Sequence, residues 1–373
     1  MMNIQASTTL MTASRQWASR PNDERFLSLH DLADHCYAQR KRSAGKVISS
    51  KSITCEADPE SPINGLVIMG KEGAAAAPSH FAFGQLANRA GAPAGYLRTL
   101  AAPLAADCIN YGLKVVRDVE DIGLLLRKDE NGAVGVAAAT GPNYGRVWNS
   151  SIADALVHSF GDGVTGDWKV PGEFGKAVEV TKANTTLYAG DRDMFVFLAD
   201  EQNRITLPNR RNGKQGSLAR GFFVRNSEVG AGLLEITAFL FDYVCCNRIV
   251  WGATDVTRIA IRHTSGAPDR WLEEALPVLE QYRHAAATPI EAKLQAAQAK
   301  KIDNVEEFLK NRKFTAAIIG RAQAAHELEE GRPMETVWDA VTGLTAAARN
   351  IQWQDERVAV ERSAGKLLDL VSA

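Results

Sequence analysis

The chain is short of the residues that build the commonest chemical sites. Its five cysteines, Cys36, Cys55, Cys108, Cys245 and Cys246, are odd in number and scattered over 373 residues. That excludes the disulfide framework of a small secreted protein, and no C-x-x-C is present to hold zinc or exchange disulfides. The seven histidines are equally dispersed, with no H-E-x-x-H. There is no G-x-x-x-x-G-K-[ST], no G-x-G-x-x-G between a strand and a helix, and no G-x-S-x-G. No cofactor motif, no metal-ligand set and no catalytic residue is expected from these patterns. Apolar runs are short as well. None approaches the ~18 residues that a membrane span needs, and the opening MMNIQASTTLMTASRQW lacks the apolar core of a secretory signal. Charge excess is missing too: the formal net charge is -1, so any pull on a polyanion must be local. A cytoplasmic protein with no membrane partner is the expectation.

What is present is an ordinary globular composition, 45% hydrophobic and 23% charged, in a chain long enough for more than one core. Residues 1–75 read as an N-terminal extension. In it Ser28 caps a short helix with Leu29, Leu32 and Ala33 on one side, and KVISSKSITCE and NGLVIMG alternate like strands. Residues 76–268 read as the core. Ser79 is an N-cap for HFAFGQLANRA, Gly91 ends that helix, and Pro93 opens a second. The joint has the spacing of a helix-turn-helix, but its second helix offers only Arg98 as a cation, and packing on a sheet is the stronger reading. IGLLLRKDENGAVGVAAAT is a hairpin turning at Glu130-Asn131-Gly132, and a helix begins at Asn149 to Ser151. Residues 269–373 read as helical, with starts at Thr288-Pro289-Ile290-Glu291 and at Asp303, and with Val337, Val341 and Leu344 as one stripe. The fold class expected is α+β: a helix pair with a mainly antiparallel sheet, then helices.

One local asymmetry stands out in the core. Between Gln202 and Ser227 the chain carries Arg204, Arg210, Arg211, Lys214, Arg220 and Arg225, and no acid. PNRRNGKQG has the composition of a hairpin tip. Further on, Arg258 and Arg262 alternate with apolar residues on a strand. A basic loop beside an arginine-bearing sheet face suits a phosphate backbone, with Tyr243 or Trp251 to stack bases; the competing reading is solvated surface and core aromatics. LLEITAFLFDYVCC is a long buried strand, with Glu235, Thr237, Phe239 and Phe241 on one side and Leu234, Ile236, Ala238 and Leu240 on the other. Asn226, Ser227 and Glu228 before Gly230 fit a tight turn. Asp191 and Asp193, with Glu228, would hold a divalent metal only if they converged; turn chemistry is the alternative.

Three ordered motifs, RNSEVGAG, VCCNRIVWG and IRHTSGAP, resemble the phage- and plasmid-borne proteins grouped as domain of unknown function 932. FAFGQLANRAGAPAGYLRTL, TGPNYGRVW and LYAGDRDMFVFL extend the likeness over about residues 75–285. The resemblance singles out Asn226, Ser227, Glu228, Gly230, Cys245, Asn247, Trp251, Arg262, His263 and Thr264, and it brings no assigned catalytic residue. Arg248 stands where the family has a glycine. The setting implied is a mobile element. The leading expectation is a non-enzymatic DNA-associated protein, a single-strand binder or annealing factor. Two alternatives stand beside it: a module binding a host or element protein through the C-terminal helices, and a metal-dependent enzyme of unrecognised type, using Asp191, Asp193 and Glu228 or the Cys245–Cys246 pair. A homo-oligomer is compatible with all three.

Overall fold

The computed structural model describes residues 21–371 apart from 62–64, 71–74, 171–178, 184, 211–212, 243–246, 250–257, 286–287 and 352–353. Two sheets carry the chain. The first has six strands in the order β1-β5-β6-β4-β3-β2, formed by β1 Ser43–Ser49, β2 Thr54–Ala57, β3 Leu66–Met69, β4 Ala75–Pro78, β5 Asp121–Lys128 and β6 Val134–Thr140. The second runs β13-β12-β11-β9-β7, with β10 beside β11, β14 beside β12 and β8 beside β9. Its strands are β7 Trp168–Lys169, β8 Leu187–Ala189, β9 Met194–Asp200, β10 Ile205–Arg210, β11 Lys214–Asn226, β12 Leu234–Asp242, β13 Asn247–Ile249 and β14 Arg258–Ile261. The β4–β6 pairing is parallel, and the other pairings between these strands are antiparallel. The fold is α+β.

The described residues between 21 and 75 pack into both sheets. Helix α1, Leu29–Lys41, starts where Ser28 Oγ accepts the Asp31 amide, and it buries Leu29, Leu32 and Cys36 against the second sheet. The chain then crosses to the first sheet, where β3 pairs with β4 across the expected boundary. Helix α2, His80–Arg89, is capped by Ser79 as the sequence predicts, and Gly91 follows it with φ +74. The second helix is broken in two, α3 Ala94–Leu97 and α4 Ala102–Tyr111, because Pro103 fits only a first turn. A π turn, Gly112–Val116, continues α4. Leu86, Ala87, Ala90 and Leu97 are buried with Ile122 and Leu124, so the helix-turn-helix pattern packs on a sheet.

Strand β12 keeps the predicted alternation. Phe239 and Phe241 join Phe195, Phe197 and Phe223 on one face, while Leu234, Ile236 and Ala238 join α1 and helix α5, Asn149–Phe160, on the other. Helix α6, Ala267–Arg270, a π turn Trp271–Ala275 and α7, Leu276–His284, belong to that second packing through Trp271, Leu279 and Tyr282. The remaining helices make a separate core: α8 Thr288–Ala299, α9 Val305–Lys310, α10 Ala316–Glu330, α11 Val337–Ala348 and α12 Gln354–Gly365. The change of core therefore falls near residue 286, not 269. Asn304, not Asp303, caps α9. The stripe Val337, Val341, Leu344 is not an open docking face. All three are 0% exposed, every residue of α11 is buried, and Ile205, Leu207, Leu218, Leu240 and Ile249 pack into the same cluster. The observation behind a protein-binding C-terminal module is thereby removed.

Candidate functional site

The four described arginines of the 204–225 run pair with acids and do not make an open basic face. Arg210 is 1% exposed and paired with Asp242 at 2.9 Å and Glu330 at 2.6 Å. Arg220 is 3% exposed and paired with Asp200 at 2.7 Å. Each enters the interior beside a carboxylate, because burying a guanidinium unpaired costs several kcal/mol. Arg204 is half-buried beside Glu201, and Arg225 lies 3.7 Å from Asp193. Four of the eight expected phosphate contacts are thus structural or paired. The missed signal was their acids, which lie outside the run at 193, 200, 201, 242 and 330, the last of them 120 positions from Arg210. Arg211, Tyr243, Cys245, Cys246 and Trp251 lie outside the described residues, and the side chains of Lys214, Asn247 and Arg258 are not described. Arg262 is exposed at the end of β14.

The polar motif after β11 has a different task. Asn226 Nδ2 donates to the Val147 carbonyl at 2.8 Å and to Asn149 Oδ1 at 2.7 Å. Ser227 Oγ donates to the Arg192 carbonyl at 2.6 Å and accepts the Ala231 amide at 2.9 Å. Tyr144 Oη donates to the Ser227 carbonyl at 2.7 Å. Glu228 Oε1 accepts the Asn149 amide at 2.8 Å, so an acid from another element caps α5. Its Oε2 meets Arg127 Nη2 of β5 at 2.9 Å, and Arg146 Nε donates to its carbonyl at 2.7 Å. Burial pushes the Glu228 carboxyl up, against the pull of Arg127 and the Asn149 amide. Gly230, at φ +87, adopts a backbone that disfavours a side chain, and it sits beside Gln85, Thr140 and Tyr144.

The third motif closes the same junction. Gly145 N–H donates to the His263 carbonyl at 3.1 Å, and His263 Nδ1–H donates back to Gly145 O at 3.1 Å. Tyr144 stacks on the His263 ring at 4.9 Å. A Cβ on Gly145 would lie 1.9 Å from the Thr264 carbonyl, so only glycine fits this approach. Residues 141–151, 226–230 and 263–264, far apart in sequence, form one polar knot between the sheets. Asp191 is exposed, Asp193 faces Arg225, and Glu228 is held by Arg127 and an amide. Among the described residues no three His, Cys, Asp or Glu side chains are placed to hold a metal ion. The metal-dependent reading of Asp191, Asp193 and Glu228 therefore fails on geometry.

Two surfaces flank the knot. On one side lies a polar cleft of about 700 Å³, lined by Gln85, Asn88, Arg89, Glu120, Thr140 and Tyr144 among others. Arg89 is engaged there, with Glu120 at 2.9 Å and the Ala139 carbonyl at 3.1 Å. On the other side arginines collect. Arg40 and Arg146 each lie over the Trp148 ring, at 5.3 and 5.6 Å from its centroid, and Arg40 donates to Ser151 Oγ at 3.2 Å. Arg127 Nε donates to Ser43 Oγ at 3.0 Å, and the Arg42 carbonyl accepts the Lys128 amide at 2.9 Å. Burial first, and then the charges of Arg42 and Arg127, hold His35 below its usual value. Burial, with Arg127 adding to it, does the same to Arg146. The run QRKRSAGK, with Arg40, Lys41, Arg42 and Lys46 and no acid, was a readable signal that the sequence analysis passed over.

Comparison of the chain with protein-family models, with curated proteins and with solved structures found no match.

Proposed function

We propose that the chain is a non-enzymatic single-stranded DNA-binding protein of the phage- or plasmid-borne type its motifs resemble. Its interface is the arginine surface around Trp148, not the 204–225 run. The observation that carries this reading is the pair Arg40 and Arg146 over one half-buried indole, with Arg127 beside them on buried Glu228 and Arg42 near His35. Cations over an aromatic ring give a strand both things it needs, phosphate neutralisation and a flat face for a base. Arg127 is held by Glu228 and acts by position; Arg40 and Lys41, at the end of α1, meet solvent and, with half-buried Arg42 after them, supply the phosphate contacts. Arg262 stands exposed one residue from His263, which stacks on Tyr144.

The test is fluorescence anisotropy with labelled single- and double-stranded oligonucleotides over a salt series. Single strands are expected to bind more tightly, with log affinity falling linearly in log salt. Reversing Arg40 and Arg42 together to glutamate should weaken binding at least tenfold and flatten the salt slope by about 1.4, two phosphate contacts' worth. Lys310→Glu, on the far helical region, should leave both unchanged. No binding at low salt, or binding indifferent to Arg40 and Arg42, refutes the reading.

A further inference from the structure

Six of the large apolar side chains that stand exposed among the described residues fall within one stretch. They are Tyr96, Leu104, Tyr111, Val115, Val116 and Val119, each between 57% and 64% exposed. Leu104, exposed Cys108, Tyr111 and Val115 recur at i, i+4, i+7 and i+11, a stripe along α4 and the π turn that continues it. The opposite stripe, with Ala105, Ile109 and Leu113, is buried against the first sheet. This helix is apolar on two faces, and the chain itself covers one. Single exposed apolar residues are normal on a monomer, but an apolar stripe along an exposed helix face marks a contact.

We propose that the stripe joins two copies of this chain, α4 lying antiparallel on α4 of a second copy about a two-fold axis near Cys108 and Tyr111. The six side chains present on the order of 500 Å² of apolar surface, which with a polar rim approaches the ~800 Å² per partner of a stable interface. Charge selects the direction. Asp107 is exposed beside the stripe, and Lys114 follows about two turns later. Antiparallel pairing brings Asp107 of one copy toward Lys114 of the other, whereas parallel pairing sets Asp107 against its own copy. Lys114 Nζ gives one hydrogen bond to Thr54 Oγ1 at 2.8 Å and keeps further N–H groups for the acid. An isologous contact needs only one such surface, and a single α4 stripe provides it.

The experiment is light scattering of the full chain across a dilution series, with bis-maleimide cross-linking mapped by mass spectrometry. A dimer that dissociates on dilution, cross-linked through Cys108 and not cross-linked at that site in Cys108→Ser, is the expected result. Tyr111→Glu should weaken self-association about 30-fold or more, as loss of a central contact does. Its melting curve, followed under conditions where both chains are monomeric, should match the wild type because Tyr111 is exposed. A monomer at the highest soluble concentration overturns the proposal, whatever else then covers the stripe. So does a dimer that ignores Tyr111→Glu and yields no Cys108 cross-link.

Discussion

Glu228 shows how much one side chain can do at a junction. Its carboxylate caps α5, neutralises Arg127 and leaves the neighbouring arginines in excess. Glu228→Ala removes a cap and leaves a guanidinium largely buried without its acid, and is expected to cost about 3 kcal/mol in denaturant unfolding. Histidine contributes to the acid side of the stability curve. Burial lowers His35, His263 and His326 below their usual values. Each is therefore neutral in the folded chain where the unfolded chain already takes a proton. Their contribution is intact above the unfolded value of about 6.5 and is lost as pH falls through it toward the lower folded values. A melting temperature that falls between pH 7 and 5.5, with a shallower fall in His326→Gln, is the expected outcome. Glu228 runs the other way: its raised carboxyl favours the fold at low pH and loses that favour as pH rises through the folded value.

At the scale of elements, two glycines set how closely segments approach. A Cβ on Gly343 would meet the Ala322 carbonyl at 2.8 Å, so α11 crosses α10 only because position 343 is bare. Gly145 admits the strand end at His263 in the same manner. Gly145→Ala is expected to destabilise by about 3 kcal/mol or more and to speed hydrogen exchange in 261–266 ahead of the rest. These crossings also mark what could be read from sequence. Ser28 and Ser79 as caps, the 121–140 hairpin and the two faces of β12 were legible, because capping and alternation are local. The knot of Asn226, Ser227 and Glu228 was seen as turn chemistry, but its partners at 127, 144–149 and 192 were not, since pairing across 35 to 101 residues leaves no local pattern. The same blindness made buried Arg210 and Arg220 look like surface, while the solvent-facing run at 40–46 went unweighted.

The second sheet is tied to the last quarter of the chain. The core around β10 and β13 is completed by α8 to α12, and Arg210 reaches both Asp242 of β12 and Glu330 of α10. Cutting the chain after residue 285 removes one carboxylate from that arginine and uncovers Ile205, Leu207, Leu218, Leu240 and Ile249. The truncated protein is expected to bind ANS and to be cut by protease at β10–β13 well before the first sheet. A truncated protein that melts cooperatively near the full-length temperature would contradict this dependence.

Strand β6 leaves one more consequence. Its neighbour β4 ends at Pro78, so among the described residues no strand lies beside the last residues of β6 on that edge. Ser79 Oγ instead donates to the Ala137 carbonyl at 3.1 Å, Gln85 Oε1 accepts the Ala139 amide at 2.8 Å, and Arg89 donates to the Ala139 carbonyl. Side chains from α2 and its cap stand in for a missing strand, and a foreign peptide finds its place there already taken. Such a stopper can be withdrawn one residue at a time. Replacing Gln85 and Arg89 with alanine would reopen the seam to strand addition and turn a sealed edge into a nucleus for aggregation.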